Sequence, residues 1–271
     1  MLYRQTTAPD GLKLQTYEAG NPNGPEILFI HGFSQCSLCW RAQFDDPGLA
    51  ANFRLIAFDI RGHGASDRPE DPSRYADDRL FANDIAAVMD DLDLKRPVLV
   101  GWSYAGRLIS DYVSAYGPSR IAGINYVCAR TNNDPRFNGP GVAFLAGMTA
   151  PELQTNIAAT RQFVRACFAK EPSADVLEQA IAYNMLVSAA VRRAHLSRKA
   201  DDGAILCRIE VPVLVTQGSE DLLVLEGLAR LTASDIPHAR LSLYDGIGHS
   251  PFIEDAERFN RELAAFALGP S

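Results

Sequence analysis

The sequence of 271 residues predicts an α/β fold built on a mostly parallel sheet with helices on both faces, and three observations carry that reading. Short apolar runs recur along the chain, each bounded by turn signals, as expected of strands covered on both faces. Amphipathic segments with apolar residues at three- and four-residue steps alternate with them, the pattern of right-handed crossover units. From Arg130 to about Leu206 the alternation stops and only helical patterns remain, so a helical segment is inserted into the sheet-forming chain.

Taken in order, Leu12 to Ala19 alternates loosely and breaks at the dense turn cluster Gly20 to Pro25. Glu26 to His31 is a continuous apolar run followed by the loop His31-Gly32-Phe33-Ser34, and Phe53 to Asp59 repeats the plan before a glycine-punctuated loop, Ile60 to Ser66. Leu80 to Leu92 carries Phe81, Ile85, Val88 and Leu92 on one stripe, with Asp77 and Asp78 placed to favour a helix N-terminus. Val98 to Gly101 is another strand. A helix follows with Ala105, Leu108, Ile109, Tyr112, Val113 and Tyr116 on one face and a stop at Gly117-Pro118. Ile121 to Cys128 is again of strand type.

The inserted segment has apolar residues at Phe144, Leu145, Met148, Phe163, Phe168, Met185 and Leu186. Its arginines and lysine, Arg161, Arg165, Arg192, Arg193, Arg198 and Lys199, are expected on a solvated face. A lid with its apolar side over a pocket is the sharper reading of the same helices. Strands resume at Val211 to Gly218, with Ser219-Glu220-Asp221 in the next loop, and at Arg240 to Tyr244. A short helix is expected over Leu225 to Leu231 between them. The loop Asp245 to Pro251 leads into a closing helix with Phe259, Leu263 and Phe266 inward.

A formal net charge of -7 argues against nucleic acid or an anionic membrane surface as partner. Met1 to Asp10 lacks the apolar core of a signal peptide and no apolar run reaches membrane-spanning length, which predicts a cytoplasmic protein without membrane insertion. Five scattered cysteines do not form a secreted disulfide framework. Cys36-x-x-Cys39 has neither a second pair for zinc nor a thioredoxin-like context, and no glycine-rich phosphate loop is present. A small-molecule substrate handled without metal or cofactor is the expectation.

The chemistry centres on Gly101-x-Ser103-x-Ala105, where a buried strand turns at once into a helix. Small residues there allow a tight turn that lifts the Ser103 hydroxyl clear. A serine hydroxyl is a poor nucleophile and needs a base, which in turn needs a group to hold its tautomer. Ser103, Asp221 and His249 all follow expected strands, and open α/β sheets place ligands at those ends.

With these residues on the page, the chain resembles the α/β-hydrolase superfamily, in its serine-nucleophile, esterase and perhydrolase-like branch. His31-Gly32-Phe33, Asp59-x-Arg61-Gly62-His63-Gly64-x-Ser66, Gly101-x-Ser103-x-Ala105-Gly106, Gly218-x-x-Asp221 and Gly248-His249-Ser250-Pro251 match its successive signatures. The resemblance implies an eight-stranded-type sheet, with residues 1–130 and 207–271 as core and 131–206 as a helical cap. It further implies Ser103 as nucleophile, His249 as base and then acid, Asp221 as orienter, and the backbone N–H groups of Phe33 and Tyr104 as oxyanion hole. Ala105 departs from the commoner glycine.

Among the other histidines, His31 and His63 fall in loops the family uses structurally, His195 in a basic helix and His238 in a surface turn. Glu220 and Asp245 compete in sequence with Asp221. Trp40, Trp102 and Phe33 are candidates for the pocket wall, although large aromatics more often belong to the core.

Haloalkane dehalogenases and epoxide hydrolases of this superfamily use aspartate where Ser103 stands, and both commonly carry proline where Ser34 stands. The implied activity is therefore carboxylic ester hydrolysis through an acyl-enzyme. Cofactor-free perhydrolase or haloperoxidase-like chemistry, C–C hydrolysis, and a ligand-binding role on the same fold are the alternatives.

Overall fold

The computed structural model describes residues 1–198 and 203–269. Its strands are β1 (Leu2–Thr7), β2 (Lys13–Gly20), β3 (Glu26–Ile30), β4 (Arg54–Phe58), β5 (Val98–Trp102), β6 (Gly123–Val127), β7 (Val213–Gly218) and β8 (Ala239–Tyr244). They form one eight-stranded sheet in the order β1-β2-β4-β3-β5-β6-β7-β8. β2 runs antiparallel to β1 and β4, and every other neighbouring pair is parallel. The three strands β5, β6 and β7 are buried along their whole length, which is why apolar residues dominate them, with Asn125, Thr216 and Gln217 as the buried polar exceptions.

β1 is the one strand that no sequence pattern announced. Only its Thr6 is buried, so it has no apolar alternation to show. Backbone pairing with β2 and a Tyr3–Tyr17 edge contact at 5.5 Å hold it in register.

The strand order reverses between β3 and β5, with β4 on one side of β3 and β5 on the other. Loops leaving two adjacent strands in opposite directions open a crevice at their carboxyl ends. The loop carrying Phe33 follows β3, and Ser103 follows β5. Fold topology alone thus puts the two beside each other.

Helices Asp78–Asp91 and Ala105–Tyr116 pack on each other, the first capped by the Asp77 carboxylate, which accepts from Arg79 N–H. Between β6 and β7 the described residues hold helices Leu153–Ala166, Ala174–Met185 and Ala189–Ser197 and shorter turns. Ser173 and Ser188 hydroxyls cap the second and third. Among the described residues, no helix is long and apolar enough to cross a membrane.

The solvated basic face expected of this segment needs correction. Arg161, Arg165 and Arg193 are exposed, but Arg192 and Arg198 are buried; Lys199 lies outside the described residues. The inward face of the last helix is Val191, Arg192, Ala194 and His195, because neutral acceptors inside the fold wait for the Arg192 guanidinium, while Arg198, just past the helix, pairs with Asp111 and with the half-exposed Asp78.

Beneath the loops at the carboxyl ends lies a histidine cluster. His63 stands 5.3 Å from His31 and 4.8 Å from His195, ring centre to ring centre. His195 is enclosed by Tyr75, Phe81 and Tyr104 as well.

All three rings are fully buried, and burial pushes each pKa down, for His195 to about 3. The native protein therefore holds them neutral where the unfolded chain takes up protons near about 6.5. Depressed values mean that this stabilisation is complete above that pH and is lost as pH falls below it. Three such sites give a slope of at most about 4 kcal/mol per pH unit in the acid range. Urea unfolding at pH 7.5, 6 and 5 should show this steep loss; a stability level across that range would contradict neutral burial.

Candidate active site

Ser103 occupies the left-handed region, with φ at 55°. Such a conformation in a non-glycine residue costs about 1–3 kcal/mol and persists only where the surroundings enforce it. Here Ser103 N–H donates to Val127 O at 2.9 Å, and Ser103 O accepts from Gly106 N–H at 3.0 Å and Arg130 N–H at 2.8 Å. Close packing accounts for the small residues of the motif. A Cβ on Gly101 would stand 2.5 Å from Ile109 Cδ1, and one on Gly106 would stand 2.9 Å from both Ala129 Cβ and Arg130 O. Ala105, where glycine is commoner, is fully buried and its methyl is accommodated.

His249 and Asp221 come together from separate loops. His249 Nδ1 lies 2.7 Å from Asp221 Oδ2, with both side chains buried. Against a carboxylate, Nδ1 carries the proton and Nε2 presents its lone pair. Asp221 is itself held: Oδ1 accepts from Leu223 and Val224 N–H at 2.7 and 2.9 Å, and Oδ2 also accepts from Gln217 Nε2 at 3.0 Å. The rival acids Glu220 and Asp245 are exposed.

Two further contacts place the histidine loop. The indole of Trp102, adjacent to Ser103, donates to His249 O at 2.8 Å, so the serine turn and the histidine are tied directly. A Cβ on Gly218 would sit 2.0 Å from Gly248 O, which gives the glycine of Gly218-x-x-Asp221 a steric reason. Glu254 clamps the same loop by accepting from Gly248 N–H at 3.0 Å and Ser250 N–H at 3.3 Å, and from Ala169 N–H of the inserted segment at 2.8 Å. No motif pointed to Glu254; its trace in sequence is only an acidic residue in the short turn after Pro251.

The loop after β3 crosses the serine so closely that a Cβ on Gly32 would stand 3.2 Å from Ser103 Cβ. Its shape is set by the buried polar groups behind it. His31 Nδ1–H donates to Gly32 O at 2.9 Å while its Nε2 accepts from Ile60 N–H at 3.0 Å. Ser34, with φ at 61°, donates its N–H to His63 Nε2 at 3.0 Å. Among the described residues, the N–H groups of Phe33 and Tyr104 have no protein acceptor, so both are available to a ligand oxygen.

Arg192 is the second residue that sequence reasoning missed. Fully buried, it donates Nε to Ser34 Oγ at 3.0 Å, Nη1 to Asn156 Oδ1 at 2.8 Å and Nη2 to Asn184 O at 2.5 Å. It thereby joins the loop after β3 to the helices of the inserted segment. Burial pushes its pKa down to about 10.

Ser103, Phe33 and Tyr104 line a cavity of about 230 Å³, which Leu223 of the Asp221 loop and Leu145 and Phe163 of the inserted segment line as well. Of the aromatic candidates for that wall, Phe33 lines it. Trp40 is core, stacked among Phe29, Phe252 and Phe259. Trp102 is buried and serves His249 instead. His238 sits at the surface, near Val211 O.

Cys36 and Cys39 are free and buried, and burial pushes the Cys36 thiol up to about 12. Cys128, Asp221 and His249 stand close enough to share a metal ion. They suit one poorly, because Asp221 already accepts four hydrogen bonds and burial holds the Cys128 thiol protonated.

The chain is similar in fold and sequence to the crystal structure of an aryl esterase candidate from Burkholderia cenocepacia, 39% identical over 99% of this chain and 100% of that one, with a TM-score of 0.95. Esterase RhEst1 from Rhodococcus sp. ECU1013 is 31% identical over 100% of both chains, with a TM-score of 0.93. Among curated relatives, the bifunctional esterase/perhydrolase DCH of Acinetobacter calcoaceticus is 29% identical over 96% of this chain and 98% of that one. The candidate oxidoreductase EphD of Mycobacterium tuberculosis is a longer protein: 33% identity extends over 138 residues, 46% of this chain and 23% of that one. The model of the alpha/beta hydrolase fold family matches residues 25–256, and the chain belongs to that family.

Proposed function

We propose that the protein is a serine hydrolase that cleaves carboxylic esters by way of an acyl-enzyme on Ser103. The observation that carries this reading is the Asp221–His249 pair, closed at 2.7 Å and tied through Trp102 to the strained turn that presents Ser103 to a cavity.

In this reading the groups act in turn. Ser103 Oγ attacks the ester carbonyl carbon while its proton passes to His249 Nε2, and Asp221 stabilises the imidazolium that results. The carbonyl oxygen becomes an oxyanion received by the N–H groups of Phe33 and Tyr104, each donor worth about 10²–10³ in rate. Collapse expels the alcohol with the proton held by His249. Water then repeats the sequence on the acyl-enzyme and frees the acid. Arg192 acts here as a positioning residue, since it fixes Ser34 next to the Phe33 donor.

Residues 131–206 serve in this reading as the cap, with Leu145 and Phe163 presenting an apolar roof to the acyl group. The buried free thiols suit a reducing, cytoplasmic setting. A perhydrolase is the second reading: the same acyl-enzyme passes its acyl group to hydrogen peroxide instead of water, and the relative from Acinetobacter calcoaceticus bears both activities in its name.

Two outcomes are expected. Ser103→Ala should lower hydrolysis of 4-nitrophenyl acetate by at least about 10³-fold with an unchanged circular dichroism spectrum, and wild type alone should be labelled by a fluorophosphonate. Undiminished hydrolysis in the variant, or wild type that resists the label, favours a ligand-binding protein on this fold. Gly218→Ala should displace Gly248 and with it His249, lowering kcat by about 10²-fold; a wild-type kcat would show that the loop has room the contacts deny.

A further inference from the structure

We propose that Arg107 and Arg130 form an anion subsite beside Ser103, so that the ester hydrolysed there carries a carboxylate. The proposal rests on the hydrolase reading and goes further by naming the substrate class.

Both side chains line the same cavity as Ser103. Arg107 lies one helical turn after the nucleophile and is only 7% exposed. Its Nη2 donates to a backbone oxygen, Arg198 O, at 2.7 Å, and its buried Nε has no partner. Arg130 follows β6, where its own N–H binds Ser103 O at 2.8 Å. Among the described residues, neither guanidinium has a carboxylate within ion-pairing distance.

The nearby acids are already committed. Arg198 takes Asp78 at 2.5 Å and Asp111 at 2.6 Å, and Asp221 is saturated by His249, Gln217 and two backbone donors. Burial disfavours both as cations in the unliganded cavity, and repulsion adds to it, from Arg198 on Arg107 and from Arg107 on Arg130. Two desolvated cations with free donors beside a nucleophile are costly unless an anion completes them. A carboxylate does so with matched, charge-assisted geometry. Leu145 and Phe163 face the same space, so the substrate has an apolar body as well as the charged end.

The test compares matched esters with wild type, Arg130→Gln and Arg107→Gln. Mono-4-nitrophenyl glutarate against 4-nitrophenyl pentanoate places the charge on the acyl side, and 4-acetoxybenzoate against 4-tolyl acetate places it on the alcohol side. For one pair, the charged-to-neutral ratio of kcat/KM should fall by about 10- to 100-fold in each variant, the range expected of a hydrogen bond to a charged group. Reading a ratio cancels any general loss of activity and the intrinsic reactivity of the esters. Glutarate should also bind the Ser103→Ala protein in calorimetry, at least about 10-fold more weakly once Arg130→Gln is added.

Ratios unmoved by both substitutions, with Ser103-dependent hydrolysis intact, overturn the subsite and leave the hydrolase reading standing. Absence of hydrolysis and of fluorophosphonate labelling in wild type overturns the hydrolase reading, and glutarate binding to the Ser103→Ala protein then decides the subsite alone.

Discussion

The site depends on backbone approaching backbone at the carboxyl ends of β3, β5 and β7. At three points backbones meet within a few ångströms, and at each a side chain would crowd or collide with its neighbour. Gly32 passes over Ser103, Gly106 lies against Ala129 and Arg130, and Gly218 lies under Gly248. These absences of a Cβ let the serine turn after β5 meet the loops that follow β3 and β6, and let the end of β7 meet the histidine loop that follows β8, each pair of strands being neighbours in the sheet. The strained φ of Ser103 is a consequence, because the turn has no room to relax.

Buried polar groups then convert closeness into geometry. Asp59 receives Ser37 N–H, Ala65 N–H and the Tyr17 hydroxyl, each at 2.8 Å. Arg61 is held bidentately by Asp84 at 2.7 and 2.6 Å, and the neutral histidines His31 and His63 fix Gly32 and Ser34, on either side of Phe33, in the loop after β3. Arg192 and Glu254 extend the same logic into the inserted segment, the first holding Ser34 and the second joining Ala169 to Gly248 and Ser250. The inserted segment is therefore fastened to the loops around the site by charged groups with satisfied hydrogen bonds, which is costly to disrupt in a dry interior.

Much of this was legible in the sequence because the relevant signals are local. Apolar-rich runs marked β5 to β7, and ordered motifs pointed to Ser103, Asp221 and His249. What stayed hidden depends on partners distant in the chain. β1 exposes nearly all its side chains, so backbone pairing and one Tyr3–Tyr17 contact define it. Arg192 and Arg198 look like surface charges until their acceptors, drawn from several helices and from Ser34, are brought around them. Glu254 has no motif, since the three N–H groups it accepts from come from two separate segments. Arg107 and Arg130 likewise acquire meaning only when the topology places them in one cavity with Ser103.

The central claim is that Ser103 becomes covalently acylated during turnover. Acid-quenching the protein within milliseconds of mixing with 4-nitrophenyl acetate, followed by proteolysis and mass spectrometry, tests it most directly. The expected result is one acetyl group on the peptide containing Ser103, formed with a matching burst of nitrophenolate. Turnover without any adduct, or an adduct on another residue, would contradict the account.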